Sequence, residues 1–131
     1  AFMVWHPSKY AEMLAEKIRL HDARVWLVNT GWSGGPYGVG ERFSLKYTRA
    51  IIDGIHDGAL DDAPVERDPR FGFDVVTECP GVPGEVMVPR QAWADGAAYD
   101  EQAEQLAELF KANFTNFEEG TAEAIKGAGP V

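Results

Sequence analysis

The sequence predicts a mixed α/β fold in the order helix, buried strand, glycine loop, helix, short strands, long helix. Three observations predict it. Apolar residues recur at helical spacing near both ends of the chain, a short run apolar on both faces follows the first helical stretch, and glycines and prolines punctuate the segments between. A helix leading into a buried strand belongs to sheet-and-helix layering rather than to a helical bundle.

Pro7 stands where the first turn of a helix tolerates proline, and Tyr10, Met13, Leu14 and Ile18 follow on one face, which predicts a helix over residues 7–21. The run Val25, Trp26, Leu27, Val28 is apolar on both faces, as in a strand covered on two sides in the middle of a sheet. Residues 29–40 hold five glycines and a proline and end that strand in a long loop. Such a loop at the carboxyl end of a buried strand is where α/β proteins place ligands. The next helix carries Thr48, Ile51, Ile52 and Ile55 on one stripe and stops at Gly58.

Residues 64–89 change to short apolar pairs, Phe71 with Phe73, Val75 with Val76 and Val86 with Val88, broken by prolines and glycines. One or two short strands amid irregular chain are expected there. Asp95 has the chemistry of an N-cap for the strongest helical pattern, whose apolar positions are Tyr99, Ala103, Leu106, Ala107, Phe110 and Phe114. The face bearing Leu106, Phe110 and Phe114 is expected to be buried. Asp100 and Glu101, read as first-turn residues, and Lys111 near the end suit the helix dipole. Residues 118–131 leave room for a further short helix, and no internal repeat or low-complexity segment is present.

A length of 131 residues suits one core, so residues 1–131 are read as a single unit. An apolar fraction of 45% with four Trp, four Tyr and seven Phe supports a packed interior over disorder. The net charge of -9, with no run of Lys or Arg, repels a phosphodiester backbone, so no nucleic-acid partner is expected. No stretch approaches the roughly 18 apolar residues that span a bilayer, and no basic segment precedes an apolar one at the start; a soluble chain with no membrane partner is expected. Cys79 stands alone, which excludes a disulfide framework or Cys-pair metal site, fits cytoplasmic surroundings and reads as a small core residue. The apolar opening Ala1-Phe2-Met3-Val4-Trp5, with no initiator Met, reads as the start of a piece of something larger.

The glycine segment fails two phosphate-loop tests. Gly35 and Gly40 have the P-loop spacing, but Glu41 and Arg42 follow where Lys and Ser or Thr are needed. Gly38-Val39-Gly40 is followed by Phe43 where a dinucleotide loop needs its third glycine. On the residues alone this is a flexible loop near a sheet edge, with ligand contact left open. His6, His21 and His56 are far apart and form no metal-binding pair on a helix face, and Gly31-Trp32-Ser33-Gly34 is not a nucleophile elbow. Asp61 and Asp62 follow a helix end and read as a solvated turn.

Read together, Leu27-Val28-Asn29-Thr30-Gly31-Trp32, the glycine loop, Arg42-Phe43 and Thr48-Arg49-Ala50-Ile51-Ile52 resemble the C-terminal signature of ATP-dependent phosphoenolpyruvate carboxykinases. The resemblance continues through Thr77-Glu78-Cys79-Pro80-Gly81-Val82, Pro89-Arg90 and Leu106-Ala107-Glu108-Leu109-Phe110-Lys111-Ala112-Asn113-Phe114, in the family's order over nearly the whole chain.

The resemblance implies a C-terminal segment of a nucleotide-binding domain. The parent enzyme would convert oxaloacetate and ATP to phosphoenolpyruvate, CO2 and ADP, with Mg2+ or Mn2+ bridging the phosphates. It places Arg42, Phe43 and Thr48 around the adenine nucleotide, although the family often has an aliphatic residue at the Phe43 position. An Arg stacks on or hydrogen-bonds to a purine, a Phe offers an apolar face and a Thr a hydroxyl. Without the resemblance the same residues read as a surface Arg, a core Phe and a helix-start Thr. The family's phosphate loop, metal-binding Asp and His and oxaloacetate-binding Arg lie in earlier sequence, so this chain is expected to hold no catalytic residue and to be inactive alone. Its partners would be ATP, oxaloacetate and the remainder of the parent chain. A stand-alone nucleotide-binding module and an interaction domain without ligand are the rival readings.

Overall fold

A computed structural model describes residues 4–131. The apolar opening at Ala1, Phe2 and Met3 lies outside the described residues. Helix α1, Pro7–His21, starts with Pro7 in its first turn and with His6 as N-cap, whose ring accepts a hydrogen bond from Ser8 N. It ends at Asp22 in the left-handed region, φ 48°, as the Ala23 N–H donates to Ile18 O at 3.1 Å. Strands β1, Trp32–Ser33, and β2, Glu41–Arg42, form an antiparallel ribbon with Trp32 opposite Arg42 and Ser33 opposite Glu41.

Helix α2, Leu45–His56, follows directly, with Ser44 accepting from Lys46 N. Its buried Gly54 lets Leu60 fold back against it; a Cβ there would stand 3.3 Å from the Leu60 side chain. Strands β3, Val65–Arg67, and β4, Asp74–Val76, form a second antiparallel ribbon, whose loop is held by Asp68 accepting from Arg70 N and Phe71 N. Short helices α3, Gly84–Met87, and α4, Pro89–Ala92, lead to α5, Gly96–Phe114. A 3-10 turn, Thr115–Phe117, and helix α6, Glu123–Lys126, complete the chain. Asp95 is the N-cap of α5, accepting from Ala97 N and Ala98 N.

The mixed helix-and-strand class holds, but three expectations are corrected. Residues 25–28 form no strand, and Leu27 is 76% exposed. A central strand needs hydrogen-bonded neighbours on both edges, whereas both sheets among the described residues are two-stranded ribbons built from other residues. In α5 the buried residues are Ala103 and Ala107, while Phe110 is 54% exposed and Leu106 also faces water. Helical spacing marks the apolar rows but not which row the chain covers, and here small alanines admit the closest approach. Asp100 and Glu101 stand beyond the first turn of α5, and Asp100 pairs with arginines instead of the helix dipole.

Among the described residues the buried apolar side chains are Leu60, Cys79, Ala103 and Ala107. Cys79 is thus a small core residue, and burial pushes its thiol pKa up, away from the reactive thiolate.

Candidate functional site

The glycine segment forms the turn of the β1–β2 ribbon. Pro36 O accepts from both Val39 N, at 3.0 Å, and Gly40 N, at 2.9 Å, which closes the turn. A Cβ on Gly40 would lie 2.4 Å from Ser33 O and 2.5 Å from Gly35 O, so only glycine allows the two arms to meet. The outgoing arm is pinned again one residue past the ladder, where Phe43 N donates to Gly31 O at 3.0 Å.

This construction brings the three sequence-predicted residues to one junction, the end of β2 and the first turns of α2. Arg42 is exposed on β2. Like Arg19 and Arg49 it makes no ion pair among the described residues, whereas Arg24, Arg67, Arg70 and Arg90 each face a carboxylate. Phe43 is partly buried, and its ring meets Tyr47 in a T-shaped contact with centroids 6.1 Å apart. Thr48 is not the residue that opens the helix: Ser44 does that, and Thr48 stands one turn later. Its hydroxyl donates to Ser44 O at 3.3 Å, which leaves the oxygen lone pairs as acceptors. Sequence reasoning missed the role of Ser44, although a serine immediately before an apolar helical run is an N-cap signal.

Two clefts lie elsewhere. One of about 270 Å³ sits between the β3–β4 ribbon, α4 and α5, where Arg70, Arg90 and Asp100 meet. Arg90 donates to both carboxylate oxygens of Asp100, Nε to Oδ1 at 3.0 Å and Nη2 to Oδ2 at 2.9 Å, and Arg70 approaches the same carboxylate at 3.2 Å. The Arg90 guanidinium holds the Asp100 carboxyl below the usual carboxylate range. The other, of about 450 Å³, is bordered by Cys79, Pro80 and Pro64. Arg42, Phe43 and Thr48 line neither.

Among the described residues no group of three or more His, Cys, Asp or Glu side chains gathers to hold a metal ion. None of the helices described is long and apolar enough to cross a membrane.

Comparison with known proteins agrees with the motifs. The phosphoenolpyruvate carboxykinase family model matches residues 1–85, well over half of the chain. "Phosphoenolpyruvate carboxykinase (ATP) 2" of Salinibacter ruber is 61% identical over 130 residues, covering 99% of this chain and 24% of that protein. "Phosphoenolpyruvate carboxykinase (ATP)" of Thermus thermophilus is 55% identical over 98% of this chain and 24% of its own length. The Dictyostelium discoideum protein of the same name is 50% identical over 99% of this chain and 23% of its own length. The chain belongs to the phosphoenolpyruvate carboxykinase family, and it spans about a quarter of the length of the curated relatives it matches.

Proposed function

We propose that this chain is the C-terminal segment of the nucleotide-binding domain of an ATP-dependent phosphoenolpyruvate carboxykinase, and that it supplies one side of the adenine-nucleotide site. The parent enzyme converts oxaloacetate and ATP to phosphoenolpyruvate, CO2 and ADP in the cytoplasm, a committed step of gluconeogenesis. Catalysis of such a phosphoryl transfer rests on positioning and charge neutralisation. When bound, Mg2+ or Mn2+ supplies part of that neutralisation; its ligands, the phosphate loop and the oxaloacetate-binding groups belong to the remainder of the parent chain. The 131 residues alone therefore turn over no substrate.

The observation that carries this reading is the junction itself: an exposed Arg42, without an ion pair among the described residues, beside Phe43 and leading straight into the capped helix that bears Thr48. Arg42 holds the purine by stacking or by charge-assisted hydrogen bonds, Phe43 offers an apolar edge, and Thr48 presents an acceptor oxygen.

Steady-state kinetics of the full-length enzyme, with each substrate varied in turn, tests it. One charge-assisted or stacked contact is worth about 1.5–3 kcal/mol, so Arg42→Ala should lose roughly 10- to 100-fold in ATP affinity while the oxaloacetate KM stays unchanged. Thr48→Val should do the same more weakly. Untouched ATP dependence in Arg42→Ala, or a raised oxaloacetate KM instead, contradicts the placement.

A further inference from the structure

The register of the β1–β2 ribbon points to one more member of this site. We infer that Trp32 is the stacking surface for the nucleotide base, presented on the same face of the ribbon as Arg42. The inference rests on the reading of Arg42 given above and extends it to a residue on the opposite strand.

Trp32 and Arg42 are directly opposed in the antiparallel ladder, and Ser33 and Glu41 form the next pair. Opposed residues project to one face with their Cβ atoms about 4.5–5.5 Å apart, so the indole and the guanidinium share a face while Ser33 and Glu41 take the other. Trp32 is 45% exposed. Tyr37, 84% exposed at the tip of the ribbon, meets it in a T-shaped contact, 5.2 Å between centroids and 87° between planes. A T-shaped contact of this kind occupies at most one face of the indole.

A half-exposed π-surface beside a guanidinium that faces no carboxylate among the described residues is the pair of groups that base recognition uses: one stacks, the other bonds to the edge or stacks in turn. The ribbon holds both before a ligand arrives. Its turn is closed by hydrogen bonds to Pro36 O, and Gly40 lies too close to Ser33 O for any side chain, which holds the two arms at close approach. Stacking accepts any purine face, so Trp32 contributes affinity, while edge contacts such as those of Arg42 and Thr48 carry the choice of base.

The test uses the full-length carboxykinase and two probes, ATP and base-free inorganic tripolyphosphate, titrated calorimetrically. Trp32→Leu should weaken ATP roughly 5- to 150-fold and leave tripolyphosphate unchanged, and Trp32→Phe should regain most of the loss. Unchanged ATP affinity in Trp32→Leu overturns the stacking role, as does a proportional loss of tripolyphosphate binding. Arg42→Ala measured alongside separates the two readings: if it alone weakens ATP, the nucleotide junction stands and Trp32 falls; if neither variant does, both fall. A second readout avoids dependence on the folding of Trp32→Leu. In enzyme labelled with 5-fluorotryptophan, the 19F resonance assigned through Trp32→Phe should move with ATP but not with tripolyphosphate, and a resonance unmoved by ATP overturns the inference.

Discussion

The corner where the β3–β4 ribbon meets α5 and the stretch from residue 25 to residue 32 answer the same demand differently. In the corner, several polar and apolar groups find partners within the chain. Arg70 and Arg90 converge on Asp100, Phe71 packs edge-on against Phe110 with centroids 6.0 Å apart, and Ala107 is 1% exposed. In the other stretch Val25, Leu27, Val28 and Trp32 are all exposed. Polar pairing is local chemistry and closes over short distances. Burying an apolar run on both faces takes whole neighbouring elements, and these are not among the described residues.

The largest expected effect is at Leu27. If neighbouring elements cover residues 25–28 in the full-length enzyme, Leu27→Ala should destabilise that protein by about 2–5 kcal/mol. In the 131-residue chain the same change should fall within about 0.5 kcal/mol, because Leu27 already faces water there. Denaturant unfolding of both forms decides; equally small losses would show that residues 25–28 face water in the complete enzyme too. A smaller effect is expected on the self-contained side. Asp95→Ala leaves Ala97 N and Ala98 N without their acceptor and should cost about 1 kcal/mol, with Asp95→Asn nearly silent. A thermal melt showing no loss in Asp95→Ala would mean that α5 is held by its packing alone.

This contrast also marks what was legible in the sequence. Helix α1 follows from Pro7 and the spacing of Tyr10, Met13, Leu14 and Ile18, and α5 starts at the cap that Asp95 announces, because caps and periodicity act within a few residues. The fate of residues 25–28 and the exposure of Phe110 were not legible, since both depend on what lies opposite. At the candidate site, Arg42, Phe43 and Thr48 come from a family resemblance and not from spacing. The ribbon that gathers them was hidden because two-residue strands carry no periodicity. Only the register, with Trp32 opposite Arg42, brings Trp32 into view.

The central claim is that the adenine ring lies against the β1–β2 ribbon and the start of α2. Photolabelling of the full-length enzyme with 8-azido-ATP tests it most directly. The account predicts that the label falls on peptides carrying residues 29–48 and that excess ATP prevents it. Label that ATP displaces but that lies wholly outside residues 29–48 would contradict it.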